Sequence, residues 1–329
     1  MVKYRTYKRP KISIGMPVFN GENYIEKALD SILNQTYKNF ELIIVDNAST
    51  DKTPQICRAY RQKDSRINYI RNKSNIGASP NFNKAFRLSN GEFFKWAAHD
   101  DLLAPDFLMK CISILEKDPS IVLCHSNTGC IDEQGELIGI YDYTEKINSP
   151  KPNQRLGAIL EDRKKTWVLI FGLIRASSLR STRLFRNCDK ADQILLAELC
   201  LIGGMYKIPE YLFFRRTHSQ AFSERMYHLG ARSSQEKLRW WTHKGKVNFP
   251  NFTFCLEHIK SLKRVPLDFV EWLLCIKQLI VWFFKVGWYL VCLDVVINLL
   301  QGSRLESKFY TFSQTNPKHV CTRIRRTMR

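Results

Sequence analysis

The chain has no Cys-x-x-Cys pair and no short-spaced set of Cys and His, so a structural zinc site is not expected in its 329 residues. It has no zinc-finger spacing and no RNP-type aromatic motif, so no specific nucleic-acid partner is expected either. A Gly-rich, Lys- or Arg-bearing phosphate loop is absent after the first predicted strand, where Phe19, Asn20, Gly21 and Glu22 stand instead. That speaks against a nucleotidyltransferase. Residues 12–19 are too short for the apolar core of a signal peptide and run into Asn-Gly-Glu, so no secretory signal is expected. Acid is scarce: 31 Asp and Glu face 51 Lys and Arg, a net charge of +20. Such a surface favours an anionic partner, and charge alone does not choose among nucleic acid, phospholipid headgroups and phosphorylated substrates.

Ten cysteines are present, scattered singly, and Cys111, Cys124, Cys200, Cys255 and Cys292 lie in apolar runs. The pattern reads as buried free thiols in a reducing cytosol rather than a disulfide framework. An apolar share of 44% with 12% aromatics suffices for a real core.

In the first hundred residues, strand and helix patterns alternate four times. Strands are expected at 12–19, 40–45, 67–71 and 92–98, with helices at 23–34, 53–62 and 79–88. Alternation of this kind predicts an α/β fold with a mostly parallel twisted sheet flanked by helices, ligands binding at the carboxyl ends of the strands. Those ends carry Phe19 and Asn20, Asp46 and Asn47, and Asp100 and Asp101. Further on, the spacing predicts a helix at 106–117, a strand at 121–126 and a hairpin turning at 133–135. It then predicts a loop at 142–155, largely helical stretches at 159–174 and 192–202, and a short strand at 211–215. Three parts are expected: a basic segment over 1–10, a catalytic domain over 11–220, and an α-helical, partly apolar extension over 221–329.

Within that extension, residues 265–300 are apolar on nearly every face. Over 278–300, fourteen Leu, Ile, Val and Phe residues favour bilayer insertion by roughly 4 to 8 kcal/mol, while Lys285 and Asp294 oppose it by roughly 5 to 7. A span, a hairpin lying at a membrane surface and a hairpin packed on the catalytic domain all remain open.

His99, Asp100 and Asp101 supply adjacent carboxylates at a strand end, able to hold a divalent cation by hard oxygen ligands or merely to cap a turn. Asp46 can accept hydrogen bonds from a base or ribose, and Ser49, Thr50 and Asp51 can cap the helix that follows.

Pro17, Val18, Phe19 and Asn20 with Glu22, then 31–37 and 40–51, resemble the start of family 2 of the glycosyltransferases. Asn75, Ile76 and Gly77, with Asn81 and Asn83, and the run 94–101 continue the likeness, which covers about residues 11–220. The resemblance implies a GT-A, Rossmann-like nucleotide-binding fold and an inverting transfer from a nucleoside-diphosphate-sugar to a saccharide or lipid-linked saccharide. It implies that Phe19, by stacking, and Asp46 hold the nucleoside, with Pro17, Asn20, Glu22, Asn47, Asn75 and Gly77 around the nucleotide-sugar. It makes Asp101 the main ligand of a Mn²⁺ or Mg²⁺ ion and places Asp100 toward the sugar or ribose. Asp192 matches the catalytic base, against the plainer role of helix N-cap. Arg215, Arg216 and His218 resemble a loop that closes over the diphosphate. Two departures stand out. His99 replaces the first Asp of the common acidic triplet, and Asn47 the second Asp of the common pair, which leaves the nucleobase open. With the basic surface, the reading predicts a cytoplasmic enzyme, peripheral at the inner face of an anionic membrane. A non-catalytic nucleotide-sugar-binding or scaffold protein is the alternative, and it predicts loss of Asp101 or Asp192; both are present.

Overall fold

The computed structural model describes residues 10–141, 145–161, 167–188, 190–221, 249–289, 291–292 and 294–295. The fold starts from a strand at the centre of the core. β1 (Ile12–Val18) is buried along its whole length and pairs in parallel with β2 (Phe40–Asp46) and β4 (Phe93–Trp96). β3 (Ile67–Arg71) adds to the outer side of β2, again in parallel. Helices α1 (Ile25–Leu33), α2 (Thr53–Lys63) and α3 (Ala78–Arg87) make the crossovers. α1 turns an apolar stripe inward, Ile25, Ala28, Leu29 and Ile32, whereas the buried face of α3 mixes Ala85 and Phe86 with Ser79, Asn81 and Asn83. Gly15 is required in β1, because a Cβ there would come within 2.6 Å of the Phe94 ring and 2.9 Å of Ala85.

Past β4 the sheet becomes mixed. The order is β3-β2-β1-β4-β8-β6-β9-β5, with β7 alongside β6. Here β5 is Leu102–Leu103, β6 Ile121–Ile131, β7 Leu137–Tyr141, β8 Leu173–Arg175 and β9 Gly204–Arg216. β8 runs antiparallel to both β4 and β6, whereas β6 and β9 are parallel. The parallel arrangement expected from the first hundred residues thus forms one half of a larger curled sheet.

The expected helix over 159–174 divides. α5 (Pro152–Glu161) begins inside the expected loop, where proline suits a first helical turn. A 3₁₀ turn (Trp167–Phe171) then leads into β8. An unbroken apolar run has no period that separates helix from strand. What fixes the strand is tertiary: Gly172 lies where a Cβ would sit 2.7 Å from the Cys124 carbonyl oxygen. The Arg175 guanidinium also donates to the carbonyls of Leu115, Ile121 and Asp118, closing the end of α4 (Phe107–Lys117). β9 is longer than the expected 211–215 because the register with β6 shifts between Ser126 and Asn127, opposite Pro209, so the proline sits at an irregularity and does not end the strand. The predicted hairpin turn at 133–135 joins β6 to β7, with Asp132 Oδ1 accepting from three backbone N–H groups.

After α6 (Ala176–Arg180), α7 (Ala191–Ile202) is buried on almost every face. Two C-terminal helices, α8 (Pro250–Arg264) and α9 (Phe269–Trp282), close over it and over α5. Phe254, Leu262, Cys275, Leu279 and Trp282 belong to the same apolar core as the sheet. Arg264 Nε bonds Glu198 Oε1 of α7 at 2.7 Å, an ion pair with little solvent access. Among the described residues, no helix is long and apolar enough to cross a membrane. Of the three arrangements left open for 265–300, the described part packs on the catalytic domain. Nine cysteines among the described residues are free thiols.

Candidate active site

The carboxyl ends of β1, β2 and β4 meet on one edge of the sheet, and their loops are stitched to one another. Asn20, left-handed at φ 52°, accepts from Thr50 N through Oδ1 at 2.9 Å and donates its own N–H to Ser49 Oγ. Gly21 N donates to Thr53 Oγ1. Glu22 bridges to the 51–52 turn: Asp51 Oδ2 accepts from Glu22 N at 3.0 Å and Glu22 Oε2 accepts from Lys52 N at 2.8 Å. Asp51 also caps α2, its Oδ1 accepting from Thr53 N. Gly21 is packed against His99, where a Cβ would lie 2.6 Å from the imidazole Cδ2. The three strand ends are therefore in direct contact. Phe19, at the tip of this assembly, leaves 44% of its surface open.

Asp46 is fully buried at the end of β2. Oδ1 accepts from Ser49 N at 2.8 Å, and Oδ2 accepts from the Tyr69 hydroxyl at 2.7 Å with Arg71 Nε 3.2 Å away. Its oxygens hold the loop and the end of β3. Burial and the adjacent carboxylate push the Tyr69 phenol well above its ordinary range. Neither Tyr69 nor Arg71 was singled out by the sequence; both sit at positions of β3 that come to Asp46 only once that strand is paired with β2.

Asn47 is also buried, and its carboxamide is spent within the protein. Nδ2 donates to Asn75 Oδ1 at 2.8 Å and to the Gly77 carbonyl at 3.3 Å, while Oδ1 accepts from Asn72 Nδ2 and Ile76 N. Asn72 continues to Asn81, and Asn81 donates to the carbonyl of Val45. Gly77, at φ 87°, starts α3 in a conformation that a side chain would strain. The asparagines at 47, 72, 75 and 81 form one buried amide network that ties the 72–77 loop to β2.

After β4, Asp100 and Asp101 lie side by side with opposite surroundings. Asp100 Oδ2 accepts from His218 Nε2 at 3.0 Å; burial works against its charge, yet His99, His218 and the backbone hold its carboxyl below the usual range. Asp101 accepts from Arg216 N at 2.9 Å, but burial and the neighbouring Asp100 charge push its carboxyl up. Arg216 clamps the pair from outside, its Nε donating to the Asp100 carbonyl and its Nη1 to the carbonyls of Asp132 and Glu133. The Tyr24 ring sits beneath both, 5.0 Å from the Arg216 guanidinium and 4.5 Å from the His218 ring. Arg215, its neighbour on the strand, turns to the other face and packs on Trp167 and Tyr141, donating to the Tyr141 hydroxyl. Alternation along β9 thus separates the two arginines. A cavity of about 420 Å³ opens beside His218, lined also by Tyr24, Lys27 and Glu133.

A pair of adjacent carboxylates fits a divalent cation of the kind that keeps several waters and draws its other ligands from substrate phosphates. Among the described residues no three His, Cys, Asp or Glu groups converge to hold a metal ion.

Asp192 lies in the first turn of α7, half-buried, its Oδ1 accepting from Gln193 N. The N-cap is Lys190, left-handed at φ 58°. Pro17, in β1, is buried and pairs with Val45.

The strand order and the crossovers define an α/β sheet of the GT-A type. The profile of Glycosyl transferase family 2 matches residues 13–181, half of the chain, and the chain belongs to that family. An uncharacterized glycosyltransferase of Rickettsia typhi is 40% identical over 223 residues, spanning 66% of this chain and 67% of that protein. One from Methanocaldococcus jannaschii is 36% identical over 132 residues, 40% of this chain and 46% of that protein. The chain thus spans about two thirds of the first relative and less than half of the second. Among solved structures, residues 1–349 of TarS of S. aureus, in complex with UDP-GlcNAc, superpose with a TM-score of 0.61 at 17% identity. That match covers 84% of this chain and 73% of that one, and it speaks to the fold.

Proposed function

We propose that the chain moves a sugar from a nucleoside-diphosphate-sugar to an acceptor hydroxyl by a single inverting displacement. The observation that carries this reading is the Asp100–Asp101 pair, its second carboxylate buried, held by Arg216 and His218 and joined through the Gly21–His99 contact to the exposed Phe19. The donor class is supported by the UDP-GlcNAc bound to the structurally similar TarS.

In this reading Phe19 stacks on the nucleobase, Asp46 and Asn47 fix the loops that frame it, and Asp100 faces the ribose or sugar. Asp101, with Asp100 beside it, would hold a Mn²⁺ or Mg²⁺ ion, whose charge offsets that of the departing diphosphate. Arg216 and His218, on the segment leaving β9, sit at the carboxylates where the diphosphate would lie. Asp192 accepts the proton of the acceptor hydroxyl as its oxygen bonds to the anomeric carbon, and the bond from that carbon to the diphosphate oxygen breaks on the opposite face. One displacement inverts the anomeric centre. The proposed acceptor is a saccharide or lipid-linked saccharide in cell-envelope or polysaccharide synthesis, met in the cytoplasm at the inner face of a membrane. The basic chain and the free thiols support that placement.

The test is a panel of UDP-, GDP- and dTDP-sugars with Mn²⁺, following nucleotide release with and without saccharide acceptors. Release from one donor, lost in Asp101→Ala, with acceptor-dependent turnover lost in Asp192→Ala, is the expected result. A chain that neither releases nor binds any nucleotide in the presence of Mn²⁺ overturns the reading.

A further inference from the structure

Helix α9 is apolar on two faces, and the domain uses one of them. Cys275, Leu279 and Trp282 point into the core, leaving the opposite side open. There Phe269, Leu273 and Ile280 stand 73%, 45% and 50% exposed, spaced four and seven residues apart on one helical stripe, and Phe284, in the π-helical turn (Phe283–Gly287) that follows, is 72% exposed. Lys277 falls on the same stripe, and Lys285 lies beside it, 3.6 Å from the exposed Glu161 at the end of α5. At 100° per residue, the open arc of α9 between Phe269 and Val281 carries no carboxylate of its own. An exposed apolar stripe of this size marks a contact surface.

The charges on and around it select the occupant. We infer that the open face of α9 docks on an anionic phospholipid bilayer, with the apolar stripe entering the headgroup boundary and Lys277 meeting lipid phosphates. A second copy of this chain would set like charges against each other, in a protein already at +20. Residues 296–329 hold seven Lys and Arg and one Glu, so they add to the cationic character of this end and do not complement the lysines. A stripe of Phe, Leu and Ile broken by lysine, with no acid on its arc, is complementary to lipid that carries negative headgroups. The inference deepens the membrane placement proposed above and rests on it, not on sugar transfer: vesicle binding is read without donor or acceptor, and donor hydrolysis without vesicles, so each fails independently.

The experiment is co-sedimentation of the full chain with vesicles of phosphatidylcholine alone and of phosphatidylcholine with phosphatidylglycerol, at low and high salt. Binding to the anionic vesicles is expected, weaker at high salt. A drop of about tenfold or more is expected in Phe284→Glu, and a smaller one in Lys277→Gln. Donor hydrolysis and thermal unfolding measured without vesicles should stay at the wild-type level. Ile280→Gln, which adds no charge, tests the same stripe should Phe284→Glu fold poorly. Equal binding of wild type and stripe variants, or no binding to anionic vesicles, overturns the inference. So does a wild-type dimer that Phe284→Glu converts to monomer, because a second copy would then occupy the face.

Discussion

Lys190 donates from Nζ to Asn251 Oδ1 at 2.9 Å, and Asn251 is held in turn by Asp294. Asp294 accepts from Asn251 N, Asn251 Nδ2 and Phe252 N, so it caps α8 while buried. A polar chain therefore runs from the C-terminal helices to the residue that starts α7, two positions before Asp192. Asn251→Ala removes the Lys190 acceptor and one donor to a buried carboxylate, at a cost of about 1–3 kcal/mol. The expected outcome is a lower unfolding midpoint together with slower acceptor-dependent turnover, nucleotide affinity staying constant. Steady-state kinetics beside nucleotide titration would check it.

Asn47→Asp restores the residue common at this position in the family, and it is nonetheless expected to harm the protein. The carboxylate keeps the contacts from Asn72 and Ile76 but loses both donors, and it then faces the Gly77 carbonyl and Asn75 Oδ1 without a proton. A loss of about 1–3 kcal/mol in denaturant unfolding is expected, with weaker nucleotide binding as the 72–77 loop loosens.

Asp101→Asn separates stability from function. The folded-state carboxyl is raised above its unfolded value, so its contribution to stability is present in acid and is lost as pH rises through the folded value. Asparagine removes that repulsion. The variant should unfold at a higher temperature than wild type at pH 8, and the gain should shrink toward pH 4. Mn²⁺-dependent nucleotide binding should disappear. Thermal scans over that pH range and nucleotide titrations measure the two effects.

Lys95, fully buried in β4, carries the opposite sign. Burial lowers its amine from 10.5 to about 7, while the Phe171 carbonyl accepts its proton and the Phe107 ring lies 4.5 Å away. Between about pH 7 and 10.5 the unfolded chain binds more protons than the folded one, so this group makes stability rise with pH across that window. Lys95→Met should flatten the rise, seen as a smaller change in unfolding midpoint between pH 7 and pH 9.5.

The first half of the fold was legible because its strands are unbroken apolar runs closed by polar residues, and its helices keep a clear stripe. The same punctuation pointed to Asp46, Asp100 and Asp101. What stayed hidden depends on contacts between distant segments. β8 lies in a run with no period until Gly172 meets Cys124, and the full length of β9 appears once Pro209 has an irregularity to occupy. Asn47 was readable as a departure from the family pattern. Its engagement with Asn72, Asn75 and Gly77 became visible only when the 72–77 loop was folded against β2. The packing of α9 was one of three open arrangements, because a helix apolar all round has no preferred inside until another surface covers one side.

β4 is the seam of the sheet: parallel neighbours lie on one side of it and the antiparallel β8 on the other, with Asp100 and Asp101 just past its end. A protein built across such a boundary can be revised by descent on one side at a time. Drift in the segments feeding β6, β8 and β9 alters what approaches the carboxylates, while the Asn20–Thr50 and Asn47–Asn75 stitching keeps the other side in register. Lineages that share the first hundred residues can on this architecture diverge beyond β4 without rebuilding the parallel half of the sheet.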